Sequence, residues 1–342
     1  MSDVAQILDI AAVDAYLSAH LPGYSGPFEA RKFADGQSNP TFLLTTPSQS
    51  YVLRRKPPGI LLKSAHAVDR EYRVQKALQD TDVPVARMHL LCEDDTVIGS
   101  AFYVMDHIPG RIFFDPRLTD LGKSERALII NDMNCVLAAL HSVDIDAIGL
   151  SDFGPPGNYF ARQTTRWAKQ YRATETGVIA DMDRLIARLD ERMPEDDGQR
   201  SLVHGDYRID NLIYSPHSPI VAAVLDWELS TIGHPFADLA SVIMQWQLPT
   251  GPDGRGLAGV DRAAAGLPSD EEFIASYCER RGIPGIGDFG FCLGFCFFRM
   301  AAVLQGVKKR ALDGNASNPE RGLKMGEYVP VFSALGLKAL EP

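Results

Sequence analysis

At 342 residues the chain is too long for one small core and points to two domains, or one domain with a large lobe. Its 45% hydrophobic and 23% charged residues are ordinary for a globular protein. The formal net charge of -10 argues against nonspecific nucleic-acid binding, so an anionic ligand would need a local basic pocket.

The N-terminal MSDVAQILDIAAVDAYLSAHL carries acids early and no basic start, unlike a signal peptide. Within it, 9–21 reads as a short amphipathic helix. The strand-like runs FEARKF, TFLLTT and YVLRRK follow, separated by ADGQSNP and PSQS, both turn chemistry. AHAVDREYRVQKALQ has helical periodicity, and VARMHLLCE and SAFYVMDHI return to strand character across an acidic turn. These segments predict a small, mainly antiparallel sheet with one inserted helix.

After Ile108-Pro109-Gly110 the texture becomes helical, with patterns over 122–142, near 158–173 and 178–193, then 234–247, 269–281, 286–311 and 318–336. Short strands are expected around LVHGDYRIDNLIY and VAAVLDWE. The most apolar run, GFCLGFCFF, is nine residues long, too short to span a bilayer. Cys92, Cys135, Cys278, Cys292 and Cys296 are scattered without a C-x-x-C pair, so neither a zinc site nor a disulfide framework is expected. Free thiols fit a reducing compartment, and the expectation is a cytoplasmic protein with no membrane partner.

The chemistry concentrates in HGDYRIDNLIY and the VLDWE beyond it. Phosphoryl transfer needs a carboxylate to accept the acceptor hydroxyl's proton and oxygen ligands for magnesium. A D-x-x-x-x-N loop puts a base, Asp206, and an amide ligand, Asn211, on one short turn. Asp226 follows fifteen residues after Asn211, enough for a hairpin that returns it beside the amide. Each part alone has a structural reading as turn or cap; the conjunction, in that order and spacing, points to catalysis.

Upstream, Gly36, Gln37, Ser38 and Asn39 lie between two strands, where a turn can place amides and a hydroxyl over phosphates. In YVLRRK, strand alternation puts Val52, Arg54 and Lys56 on one face, and Glu71 in the next helix can pair with a cation from that face. An edge-strand basic run beside a solvated acid would look the same. No GxSxG or GxGxxG occurs, which removes the usual hydrolase elbow and dinucleotide fold. DLGKS lacks the first glycine of a Walker loop, Arg117 standing there instead.

HGDYRIDNLIY, VLDWELSTIGHPFADLA and YVLRRKPPG resemble the aminoglycoside phosphotransferase and choline kinase superfamily, over about Phe28 to Phe332. GQSNPTFLL, LRRKPPG, SAHAVDREYRV, FGPPGNYFARQ and LDGNAS resemble the branch containing the kinase domain of acyl-CoA dehydrogenase family members 10 and 11. The resemblance implies an α+β, bilobal protein-kinase-like fold with a small antiparallel-sheet N-lobe and a larger, mainly helical C-lobe. It places a nucleotide-binding lobe at 1–106 and a catalytic and acceptor-binding lobe at 107–342, with the hinge about 105–110, and ATP and Mg2+ in the interlobe cleft. Carried across, Asp206 is the base, Asn211 and Asp226 are metal ligands, and Glu228 holds a second magnesium through water. His204 and Asp238 brace the loop, while Met105, Asp106, His107 and Ile108 form the adenine-facing hinge. Where relatives often carry lysine, this chain has Arg54, with Lys56 competing for the phosphates. Arg208 can stabilise the transferring charge or form a structural salt bridge.

The resemblance leaves the acceptor among hydroxyl compounds. Tyr159, Phe160, Arg162, Arg166, Trp167, Arg299 and Lys308-Lys309-Arg310 make the acceptor-side segments basic or aromatic. The branch implies a hydroxyacyl-CoA, phosphorylated on its acyl chain ahead of elimination and oxidation, with a functional link to an acyl-CoA dehydrogenase. The alternatives are an aminoglycoside or choline-type acceptor, and a non-catalytic pseudokinase that binds nucleotide or acyl-CoA.

Overall fold

The computed structural model describes residues 7–33, 39–57, 67–251, 254–316 and 318–341. The chain divides into two compact units: Met1–Phe113 with Ile145–Leu150 and Ile209–Ser230, and Phe114–Asp144 with Ser151–Arg208 and Thr231–Pro342.

The first stretch runs α1 (Ile10–His20), β1 (Glu29–Lys32), β2 (Thr41–Thr45), β3 (Ser50–Arg55), α2 (Val68–Leu78), β4 (Met88–Cys92), α3 (Asp95–Ile98) and β5 (Phe102–Asp106). Its five strands form one sheet in the order β1-β2-β3-β5-β4, every neighbouring pair antiparallel. β3 is central and buried on both faces. Tyr51 and Leu53 join a core with Val13 and Leu17 of α1, while Val52 joins Val68 of α2. Strand alternation therefore sends Arg54 toward α2 and Arg55 to the opposite face. There the Arg55 guanidinium is held by Ser100 Oγ at 3.0 Å and the Ile98 carbonyl at 2.9 Å. The stretch read as an acidic turn contains α3, whose first turn Asp94 caps by accepting the Thr96 amide at 2.9 Å.

Next come α4 (Lys123–Ser142), α5 (Tyr159–Thr174), α6 (Ala180–Glu191) and β6 (Ser201–Val203), all in the second unit. The hairpin of β7 (Leu212–Tyr214) and β8 (Val221–Val224) belongs to the first unit and pairs Leu212 with Val224. Tyr214 also exchanges backbone bonds of 2.8 and 2.9 Å with Arg111, tying the segment after β5 to the hairpin. β9 (Thr231–Gly233) pairs antiparallel with β6, and the helices α7 (Phe236–Trp246), α8 (Arg262–Ala265), α9 (Asp270–Arg281), α10 (Phe289–Leu312), α11 (Pro319–Gly326) and α12 (Val329–Ala339) complete the second unit.

α10 is the spine of the helical unit, packed against α5, α6, α7, α11 and α12. The nine-residue apolar run is part of this 24-residue helix, which is long and apolar enough to cross a bilayer by length and composition alone. Its apolar 18-residue window is 72% buried, as in the core helix of a packed domain. The single helix expected over 318–336 is two. Pro330, second in α12, lacks the N–H that an unbroken helix would need, and its ring would clash with the Gly326 carbonyl.

Gly110 marks the close approach that ties the post-β5 segment to β7. A Cβ there would collide with the Tyr214 carbonyl oxygen, a backbone atom, and with Ile213. Gly110→Ala is expected to destabilise the protein by about 1–3 kcal/mol, as overpacking does. A lowered urea midpoint with unchanged m-value checks this, and an unchanged midpoint contradicts it.

Candidate active site

The first unit holds a cluster built on Arg54. From β3 the guanidinium places Nε 2.8 Å from Glu71 Oε2 of α2, and Nη2 3.1 Å from Asp226 Oδ1 and 3.8 Å from Glu228 Oε2. Glu71 is 1% exposed, yet its carboxylate is well supplied. Asn39 donates to Oε1 at 2.7 Å and the Tyr103 hydroxyl to Oε2 at 3.0 Å. Burial raises the Glu71 carboxyl above its ordinary range, and the adjacent Arg54 and Tyr103 pull it back only in part. On Arg54 burial works to lower the pKa, but Glu71, Asp226 and Glu228 together drive it upward.

Asp226 follows β8 in a left-handed conformation, φ 63° and ψ 59°. Aspartate tolerates this better than most residues, and such strain concentrates at functional sites. The next turn is fixed by Trp227, buried, with its indole N–H donating to the Val224 carbonyl at 2.9 Å. Asn211 is tied to the same hairpin by its carbonyl, which accepts the Leu225 amide at 2.8 Å. Asn211, Asp226 and Glu228 thus supply hard oxygen donors suited to magnesium, with Asp226 38% exposed at its side chain. Among the described residues, no group of three or more His, Cys, Asp or Glu side chains could hold a metal. A magnesium ion on these donors would therefore need further oxygens, such as phosphates and water, to complete its shell.

The competing cation, Lys56, lies 3.5 Å from Asp69 Oδ1, on the α2 side like Arg54 but without the Glu71 and Asp226 contacts recorded for Arg54. Gly36, Gln37 and Ser38 lie outside the described residues. Asn39, expected over phosphates, is instead fully buried and bonded to Glu71. Of the expected hinge, Met105 and Ile108 pack with Val52, Val68 and Tyr103. The Asp106 amide donates to the Arg87 carbonyl at 2.9 Å and the His107 amide to the Ser50 carbonyl at 3.2 Å. The Asp106 carboxylate meets His89 Nε2 at 2.6 Å.

The second unit holds His204 to Arg208, the stretch after β6. Gly205 has φ 84°, open to glycine and unfavourable for most other residues, and its peptide is gripped from both sides. Asp238 of α7 accepts the His204 amide at 2.5 Å and the Gly205 amide at 2.9 Å. Arg299 of α10 donates to the Gly205 carbonyl at 3.1 Å. His204 Nδ1 accepts the Asp206 amide at 3.2 Å, and the Tyr207 hydroxyl donates to the Met133 carbonyl at 2.8 Å. This scaffold leaves the Asp206 carboxylate 30% exposed, with Arg208 Nε 3.8 Å from its Oδ2.

Arg299, which the sequence suggested for the acceptor side, is thus a brace for the loop. Burial opposes its charge, but Cys296, Tyr159 and Asp238 raise its pKa overall. Tyr159 and Phe160 are buried against Phe295 of α10, and Arg162 donates to the Pro156 carbonyl at 2.7 Å. Arg166 lies over the Trp167 ring at 5.4 Å, and Lys309 pairs with Asp313 at 2.5 Å. Sequence reasoning missed Tyr103 on Glu71, and His141 behind Asp238. The only available signal for His141 was a polar residue at the end of the apolar pattern AALHS.

Residues 29–275 match the sequence model of the phosphotransferase enzyme family. Mouse acyl-CoA dehydrogenase family member 10 is 47% identical over 309 residues, covering 90% of this chain and 29% of the mouse protein. Human acyl-CoA dehydrogenase family member 11 is 42% identical over 331 residues, covering 93% of this chain and 42% of the human protein. The chain therefore spans less than half the length of these relatives. A crystal structure from Ralstonia eutropha, provisionally assigned as an aminoglycoside phosphotransferase, is 46% identical with a TM-score of 0.90, covering 97% of this chain and 98% of that one. A ternary complex of aminoglycoside phosphotransferase APH(4)-Ia with AMP-PNP and hygromycin B has a TM-score of 0.63 at 16% identity, covering 96% and 98% of the two chains, and speaks to the fold alone. The fold is kinase-like, with a five-stranded antiparallel small lobe and a larger helical lobe, as the α+β expectation had it.

Two histidines of the second unit, His141 buried and His234 partly buried, make stability depend on pH. Burial pushes His141 and His234 below their ordinary values, the Asp238 and Asp197 contacts opposing it only in part. A lowered folded-state pKa means the unfolded chain takes up the proton first, so stability present above about pH 6.5 is lost as pH falls below it. The thermal midpoint of the wild type, relative to His234→Gln at each pH, is expected to fall between pH 7.5 and roughly 5.5. A flat difference curve would remove His234 from the account.

Proposed function

The chain belongs to the phosphotransferase enzyme family, and from that premise we propose that it moves the γ-phosphate of ATP to a hydroxyl of a small molecule with magnesium. The observation that carries this reading is the Arg54 guanidinium set among Glu71, Asp226 and Glu228. A partly buried cation anchored by one carboxylate, beside a partly exposed carboxylate that can hold a metal, is what a triphosphate and its magnesium require. Arg54 then grips the phosphates, and Lys56 stays with Asp69. Asn211 and Asp226 hold magnesium and Glu228 assists through water. Bound there, magnesium would neutralise charge on the phosphates.

Asp206 accepts the acceptor's hydroxyl proton, held at the head of its loop by backbone bonds to Asp238, His204 and Arg299. Arg208 stabilises charge on the transferring group. Met105 to Ile108 face the adenine, with the Asp106 and His107 amides already donating to the Arg87 and Ser50 carbonyls. A pseudokinase is disfavoured, since Asp206, Asn211 and Asp226 are all retained.

For the acceptor we favour a hydroxyacyl-CoA, supported by relatives named as acyl-CoA dehydrogenase family members. A functional link to a dehydrogenase and a cytoplasmic location belong to the same proposal. The second reading, an aminoglycoside, is favoured by the provisional assignment of the 46% identical Ralstonia protein. Asp206→Asn is expected to lower kcat by about 10²–10⁴-fold while ATP binding persists, because the base is lost and the nucleotide contacts remain. Unchanged turnover would sink the role of Asp206. A magnesium-dependent transfer assay with hydroxyacyl-CoAs, choline and aminoglycosides side by side decides the acceptor, and transfer to an aminoglycoside alone overturns the acyl-CoA reading.

A further inference from the structure

Behind the Asp206 loop, the second unit contains a hydrogen-bonded chain that the proposed chemistry does not use. The Tyr277 hydroxyl of α9 lies 2.8 Å from His141 Nδ1 of α4, and His141 Nε2 lies 3.4 Å from Asp238 Oδ2. All three side chains are buried: Tyr277 is 0%, His141 2% and Asp238 1% exposed. The donor directions can be assigned from chemistry. Asp238 already accepts the amides of His204 and Gly205, so it acts as a carboxylate acceptor. His141 therefore presents Nε2–H to it, which leaves Nδ1 as the acceptor for the Tyr277 O–H. The chain reads Tyr277 to His141 to Asp238, with every donor pointing toward the carboxylate.

Burying a carboxylate is costly unless its lone pairs are filled, and Asp238 receives donors from three groups. Two are backbone amides of the loop carrying Asp206. The third, His141, meets the same Oδ2 atom as the His204 amide. Losing the imidazole's orientation would leave that oxygen short of a donor and free the carboxylate to rotate. The loop amides would follow it, and with them Asp206, whose own amide is held by His204.

We infer that Tyr277 and His141 are positioning residues that fix the Asp206 loop through Asp238. The inference rests on the phosphotransferase reading for its kinetic arm, while its structural arm is independent of it. Tyr277→Phe deletes one hydroxyl from a packed site and keeps the ring. His141→Gln places an amide N–H near the position of Nε2 and abandons the tyrosine, whereas His141→Leu abandons both.

The test reads kinetics together with hydrogen exchange over residues 203–208 in the full chain. Tyr277→Phe is expected to lower kcat roughly tenfold with little change in KM for ATP, and to speed exchange of the Gly205 and Asp206 amides. His141→Gln should recover part of the activity that His141→Leu loses. Adding Tyr277→Phe to His141→Leu should cost nothing further, because both act along one path. A role confined to packing would lower the unfolding temperature without the kcat and KM split and without local exchange; that result overturns the inference. If the wild type transfers phosphate to no acceptor, the phosphotransferase reading fails separately. The exchange arm then decides alone: faster loop exchange in Tyr277→Phe supports the chain, and unchanged exchange refutes it.

Discussion

A carboxylate removed from water survives only if its lone pairs are filled, and in this protein that constraint shapes the ground on which the chemistry stands. Asp238, 1% exposed, has its pKa lowered even though burial works to raise it; the bond from His141 and the Gly205 amide outweigh burial. What Asp238 needs, the loop at 204–205 supplies, so solvating the acid and shaping the loop are one act. Gly205 makes this possible. Its φ of 84° lets consecutive amides converge on a single side chain. A residue with a Cβ would resist that turn, and the acid would lose its solvation. Arg299 completes the grip by taking the Gly205 carbonyl.

The first unit solves the same problem with a different partner. Glu71 is as buried as Asp238, but it is satisfied by side chains: Arg54, Asn39 and Tyr103. Arginine suits this position for a geometric reason. Its fork reaches Glu71 with Nε and Asp226 with Nη2, where a lysine would offer one compact point charge. The departure from lysine thus comes with a broader grip, linking the α2 acid to the turn after β8 through one rigid plane. Three carboxylates, Glu71, Asp226 and Glu228, thus surround one cation and leave the cluster with an excess of acidic groups.

Much of this was legible in the chain. The D-x-x-x-x-N spacing and the later Asp226 announce a hairpin, and β7 and β8 form it with Leu212 opposite Val224. Strand alternation in YVLRRK sorted Arg54 from Arg55, since a pleated strand has only two sides. Other features were not local and could not be read locally. Asn39 looked like part of an exposed turn, yet its partner Glu71 lies 32 residues on and takes it into the interior. Arg299 looked like an acceptor-side cation within a basic series, yet its carbonyl partner lies 94 residues upstream. His141 and Tyr277, 136 residues apart, have meaning only once α4 and α9 are packed. The break at Pro330 was visible in principle, but helical periodicity continues across it and masked the boundary.

The fate of the basic residues also limits how an acceptor can be recognised. Counted along the sequence, α5 and α10 carry a series of cations; counted in the fold, several are already committed. Arg299 serves the loop, Arg162 meets the Pro156 carbonyl, and Lys309 meets Asp313. With a net charge of -10, the molecule as a whole repels an anion at long range. An anionic acceptor would then owe its affinity to a few short contacts, with little help from the protein's overall field. Arg166 is suited to such a contact: stacking at 5.4 Å on Trp167 holds the guanidinium in place while its N–H edges stay available for phosphate. A polycationic acceptor would meet the opposite balance, drawn by the net charge and opposed by the same arginine. Salt dependence therefore carries information about the acceptor: attraction through the overall field fades with ionic strength, whereas close bidentate contacts fade far less.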